Sequence, residues 1–271
     1  MRALLAFLLV VPVAALAQSP LLREGPDRES FLAQAAKKEG EVSVYTSLIQ
    51  EDLIALSEAF EKKYGVKVKG WRAGSEKVLQ RAVTEARANR HDADVIETNG
   101  PELESLYREK VLQPLKSPHL KDLMPQAVRS HGHWVGTRIN LFVQTYNTTL
   151  VSKDEVPKSF ADLTKPRWKG RLGIEAEDED WFAIRPAIGR ANGIGIVAQP
   201  PHPHAAALFA DFLLSPEGQA ILQKGGYVPA NLRVEDRAQK LPLKFVDPAL
   251  MLDENDKWKK LWAQIVLGAP R

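Results

Sequence analysis

The sequence predicts an α/β protein built on a mostly parallel sheet. Strand-like and helix-like stretches alternate three times between Val42 and Tyr107. Each helix-like stretch repeats apolar residues at intervals of three and four, the signature of one buried helix face. Successive strand–helix–strand units of this length give parallel neighbours through right-handed crossovers.

The elements follow in order. Met1-Arg2, an apolar run from Ala3 to Ala17 and the small residues Ala15-Leu16-Ala17 read as an export signal over residues 1–17. No Cys stands at the cleavage point to carry a lipid. Ser19 to Asp27 is a polar tail, and a short helix from Arg28 to Lys38 ends at Gly40. Val42–Tyr45 is the first strand; Leu53, Leu56, Phe60 and Tyr64 line the helix after it, with Gly65 as its left-handed stop. Val66–Gly70 is the second strand, followed by a helix with Ser75 as N-cap and Val78, Leu79, Ala82, Val83 and Ala86 on its apolar face. Ala93–Glu97 is the third strand, turned by Thr98-Asn99-Gly100-Pro101 into a helix burying Leu103, Leu106 and Tyr107.

Beyond this unit, Ile139–Tyr146 reads as a long strand, Ala161–Leu163 as a short helix and Arg171–Glu175 as another strand. Gly193–Val197 is a strand whose glycines invite close approach of a second backbone. His204–Leu214 is a helix, and Ser215-Pro216 starts the next with Ser at the N-cap and Pro at the first helical position. Trp258, Leu261, Trp262 and Ile265 form the stripe of a terminal helix.

Composition bounds the function. There are 271 residues, no Cys and a formal charge of +3. Disulfides are excluded, and so slight a positive bias gives no argument for nucleic acid. After the signal, no apolar stretch reaches membrane-spanning length. A soluble exported α/β protein can be a binding protein, a hydrolase or a scaffold.

Ligands of parallel sheets bind beyond the carboxyl ends of the strands. Three loops here meet that description: Thr46-Ser47, Gly74-Ser75 and Thr98-Asn99. All offer small or hydroxyl groups before a helix, whose first N–H groups are unpaired and favour negative charge. On one rim they would make an anion site; taken singly, Ser75 and Asn99 are also ordinary helix caps. Arg138 precedes the long apolar strand, as an anion partner or as a solvated surface Arg. Tyr45 and Trp181 either line the cleft or belong to the core. The acidic run Glu175 to Asp180 reads as a metal site or a solvated loop. The pairs His131/His133 and His202/His204 lack the spacing of a helical zinc motif. There is no G-x-S-x-G elbow and no Cys nucleophile, and Asn192-Gly-Ile-Gly195 lacks the third glycine of a dinucleotide fingerprint. No catalytic set is recognisable, and no cofactor is called for.

Val44-Tyr-Thr-Ser47, Phe60 to Val66, Gly74-Ser-Glu76, Ala93-Asp-Val-Ile96, Val143-Gln-Thr-Tyr-Asn147 and Phe212-Leu-Leu-Ser-Pro-Glu-Gly-Gln219 occur in that order. The set resembles the family-1 extracellular solute-binding proteins, most nearly the ferric-iron ABC transporter group. The resemblance implies a type II periplasmic-binding-protein-like fold, with two lobes, mixed central sheets and flanking helices. It implies a first lobe over 18–138, a crossover and reduced second lobe over 139–192, and a return to the first lobe over 193–271. It also implies a periplasmic carrier that gives its solute to an inner-membrane ABC permease; with the donor-rich rim, that solute is expected to be a small anion or a metal–anion complex. Ferric binders of the family use a His in the first loop, a Glu after the third strand and a Tyr pair; Ile49 and Asn99 stand at the first two places here. No side-chain metal site is therefore expected. An exported hydrolase, or a shortened remnant without transport activity, are the alternatives.

Overall fold

A computed structural model describes residues 22–142, 146–158, 160–173, 188–241 and 243–265. The expected signal, Trp181, the acidic run from Glu175 and the far end of the predicted Ile139–Tyr146 strand as far as residue 145 fall outside them.

The first half alternates as the sequence predicts: α1 (Arg28–Glu39), β1 (Glu41–Thr46), α2 (Gln50–Tyr64), β2 (Lys67–Arg72), α3 (Ser75–Arg87), β3 (Val95–Asn99) and α4 (Gly100–Arg108). Strand β1 pairs in parallel with both β2 and β3. Gly65 ends α2 at φ +69°, where an L side chain would be strained. The next elements are β4 (Leu112–Gln113), β5 (Trp134–Phe142), α5 (Phe160–Leu163) and β6 (Ile188–Val197). Then come α6 (Pro203–Leu214), α7 (Pro216–Lys224), β7 (Val228–Pro229), β8 (Lys244–Phe245), α8 (Pro248–Asp253) and α9 (Asn255–Ile265).

Together the strands form one mixed sheet in the order β2-β1-β3-β6-β5-β7, with β4 and β8 also pairing with β6. Strand β6 runs antiparallel to β3 and β5. Two differences from the sequence reading matter. Strand β5 begins at Trp134, not Ile139, because a register shift between Gly136 and Arg138 hides its alternation. Residues 171–173 are irregular rather than the start of a strand.

Two apolar layers flank the sheet. One joins Val42, Val44, Val95, Ile194 and Ile196 to α1, α2, α6 and α7. Phe60 centres it, with Phe209 and Tyr64 rings both at 5.1 Å and Phe212 at 5.6 Å. Helix α6 is buried from Ala205 to Leu214, which explains why it is apolar nearly all round. Its one carboxylate, Asp211, accepts from Arg28 Nε at 2.6 Å and so ties α1 to α6. The second layer sets Tyr45, Ile96 and Trp134 against α3 and α4, through Val78, Ala82, Leu103 and Leu106.

Strands β5 and β6 approach closely at Gly193, where a Cβ would lie 2.4 Å from the Val135 carbonyl oxygen. Beyond the last β3 pair, Asn99 with Asn192, the residues Ile188–Ala191 of β6 pair with β5 and, at their far end, with β8. The two strands thus leave the sheet rim as a ribbon.

Candidate functional site

Parallel pairing puts the carboxyl ends of β1, β2 and β3 on one rim, and with them the starts of α2, α3 and α4. The N-cap positions are held by Ile49, Gly74 and Asn99, none with a side-chain cap. Gly74, not Ser75, is the α3 cap; Ser75 is the first helical residue. Its hydroxyl is therefore not committed to capping its own helix from the N-cap position.

Thr46 and Tyr45 take opposite faces of β1, as neighbours on a strand must. Thr46 is fully buried; its Oγ1 donates to Glu97 Oε2 at 2.6 Å and accepts from Leu48 N–H at 3.0 Å. The Ser47 hydroxyl accepts from Thr98 Oγ1 at 3.1 Å, and its N–H donates to the Glu97 carbonyl. Tyr45 packs on the α3 side, its hydroxyl donating to Glu85 and its ring edge-on to Trp71 at 5.1 Å. Burial and the Glu85 carboxylate push the Tyr45 phenol well above its usual range. It belongs to the core rather than the cleft.

Arg138 is neither a surface residue nor a strand-preceding one. It lies within β5, 2% exposed, and donates to Glu97 while its guanidinium sits 4.7 Å over the Tyr227 ring. Glu97 is 1% exposed. Burial raises the Tyr227 phenol, against the pull of Arg138. Asn99 accepts from Asn192 Nδ2 at 2.6 Å. The structure thus brings together Thr46, Ser47, Asn99 and Arg138 and puts Gly74 and Ser75 at the neighbouring loop, while Tyr45 points away.

Sequence reasoning missed Glu97, Asn140, Arg190, Asn192 and Tyr227. Glu97 carried a signal: an acidic residue closing an otherwise apolar strand needs a buried counter-ion. The His pairs have structural roles. His202 Nδ1 meets Asp94 at 2.9 Å, and His204 Nδ1 meets Glu39 at 2.6 Å, whose carboxylate also accepts from the first N–H groups of α6. His131 stacks on Tyr107 with ring centroids 3.9 Å apart. Among the described residues, no three His, Asp or Glu side chains come together as a metal site. No helix among them is long and apolar enough to cross a membrane.

Comparison with known proteins places this architecture. A family model described as bacterial extracellular solute-binding protein matches residues 55–188, and a second of the same description matches residues 180–228. The chain belongs to the bacterial extracellular solute-binding proteins. This solute-binding protein is 31% identical over 182 residues to the Fe(3+)-binding periplasmic protein of Serratia marcescens, covering 67% of this chain and 52% of that one. It spans about half the length of the curated relatives it matches. Iron-bound HitA from Pseudomonas aeruginosa superposes with a TM-score of 0.71 at 21% identity, over 83% of this chain and 99% of that one. AfuA from Actinobacillus pleuropneumoniae, with fructose-6-phosphate bound, superposes with a TM-score of 0.64 at 18% identity, over 85% and 99%. The fold of this solute-binding protein is accordingly the two-lobed, type II periplasmic-binding-protein-like one, with a mixed central sheet and flanking helices.

Proposed function

We propose that this chain is the non-enzymatic solute-binding component of an ABC importer, exported to the periplasm through residues 1–17. It captures a small anionic or anion-chelated solute at the rim and delivers it to an inner-membrane permease. In this reading residues 139–192 include a reduced second lobe. The observation that carries it is the set of three helix starts, at Ile49, Gly74 and Asn99, without side-chain caps on the rim that holds Arg138. Free N–H groups at helix starts and a guanidinium both favour anions.

The names of its relatives offer two solute chemistries, ferric iron and a sugar phosphate. The described rim is rich in donors, so an iron chelate would be held through its anion. Native mass spectrometry of protein purified from its own periplasm tests the reading. A retained small anion supports it. Ester or phosphoester turnover abolished by a rim substitution would replace it with a hydrolase.

A further inference from the structure

We propose that one face of the β5/β6 ribbon binds a hydroxylated organic anion, a hydroxy acid or a polyol phosphate, through Arg138, Asn140, Arg190 and Asn192. This rests on the reading of the rim as an anion site and adds to it the residues and the ligand chemistry.

Register assembles the face. Arg138 pairs with Asn192, and Asn140 pairs with Arg190. Directly paired residues share a face of a sheet, and so do residues two apart on one strand. The four side chains therefore form a two-by-two block on the face that also carries Glu97 and Asn99 of β3. The shift between Gly136 and Arg138 sets Arg138 in this register. Arg138, Arg190 and Asn192 are 2%, 5% and 2% exposed.

The block is fixed in place. Glu97 holds one end of the Arg138 guanidinium and the Tyr227 ring supports its flat face. Asn192 gives its Nδ2 to Asn99, which turns its Oδ1 away. Arg138 Nε, Asn140 Oδ1 and Asn192 Oδ1 are buried in the block with no hydrogen-bond partner among the described residues.

Those atoms specify a ligand. One is a donor on a cation and two are acceptors. A bare oxyanion would satisfy the donor and leave both amide oxygens unpaired, at about 1–3 kcal/mol for each buried polar group. A hydroxyl beside the anionic group supplies the missing donor. The donor belongs to a guanidinium, and the guanidinium-bearing Arg190 stands on the same face. Charge-assisted bonds from such groups favour an anion over a neutral polyol.

The test is calorimetry on the full chain with two matched pairs, malate against succinate and glycerol 3-phosphate against propyl phosphate. Within at least one pair the hydroxylated member should bind about ten-fold or more tighter, because a site built to pair a hydroxyl rejects the analogue lacking it. Whichever pair binds more strongly distinguishes carboxylate from phosphate. Asn140→Ala should shrink that preference to within about two-fold, and Arg190→Gln should weaken both members of the pair, with Arg190→Lys in between. Equal affinity within both pairs in the unmodified protein overturns the hydroxyl assignment and leaves the anion reading standing. No binding of any of the four at about 10 mM overturns both. The matched-pair measurement needs no variant, so it decides the proposal even where a variant fails to fold.

Discussion

Arg138 and Glu97 pair across a strand that belongs to neither. Glu97 lies on β3 and Arg138 on β5, with β6 hydrogen-bonded between them. Both are buried, so each is the other's compensation for leaving water. The bond also clamps the crossing ribbon to the parallel half of the sheet.

Breaking this pair from one side should therefore be severe. Glu97→Ala is expected to cost about 3–5 kcal/mol, because it strands a buried guanidinium. Replacing both partners with apolar residues should recover much of that loss. Urea denaturation of the two single variants and the double variant measures it, and additive effects would show that the two charges are uncoupled.

At the close approach of β5 and β6, Gly193→Ala puts a methyl against the Val135 carbonyl oxygen, which is backbone and cannot step aside. The expected loss is about 1–3 kcal/mol, as for other overpacked sites. Gly74→Ala, with open space around its Cβ position, is the comparison, where only the smaller cost of alanine at an N-cap is expected. Equal midpoints for the two variants in urea would contradict the close contact at Gly193.

Acid should destabilise the protein through two histidines. Burial lowers the pKa of His119, against the pull of Asp211, and that of His131, against Glu104. A lowered folded value means the unfolded chain binds more protons. Stability is therefore retained above about pH 6.5, the ordinary value, and falls as pH drops through it. The slope is at most about 1.4 kcal/mol per pH unit for each histidine. Melting temperatures from pH 7.5 to 5.5 read it, and the double variant His119→Gln/His131→Gln should flatten the curve over that window.

Ser75→Ala removes a rim hydroxyl that is not the cap of its helix. Affinity for the native solute should drop by about 0.5–1.5 kcal/mol, the worth of one hydrogen bond, with the melting temperature unchanged. Titration calorimetry decides it; unaltered affinity takes Ser75 out of the site.

Ferric citrate should produce no phenolate-to-iron absorption band. Tyr45 donates to Glu85 inside the core, and Tyr146 is 40% exposed, away from any set of carboxylates or imidazoles among the described residues. A band at one-to-one stoichiometry, lost in Tyr146→Phe, would reverse this.

The parallel half of the fold was legible because its signals are local. Leu53, Leu56 and Phe60 announce their helix by spacing alone, and Gly65 announces its end. The antiparallel half was legible only in part: strands were expected from Ile139 and Gly193, but their true starts at Trp134 and Ile188 were hidden by polar rim residues and a register shift. Asn140 reads as part of a strand and Arg138 as an anion partner or surface residue just before it, while Arg190 and Asn192 fall outside the strand expected from Gly193; only cross-strand pairing puts the four side by side. Asn99 and Ser47 could be guessed from their place after a strand. Glu97 carried a local signal, a carboxylate closing an apolar strand, but Tyr227 carried none, since its place beside Glu97 depends on the buried guanidinium of the distant Arg138.

The ribbon has an evolutionary consequence. The chain departs along β5 and comes back along β6, and these strands are hydrogen-bonded neighbours as far as Phe142 and Ile188. The two ends of whatever lies between are thus held side by side by the sheet itself. Closing a chain between fixed ends costs only about 0.6 kcal/mol more for each doubling of its length. An insertion here can be trimmed or extended over many residues at little cost in closure entropy, while the strand pairing that anchors it stays the same.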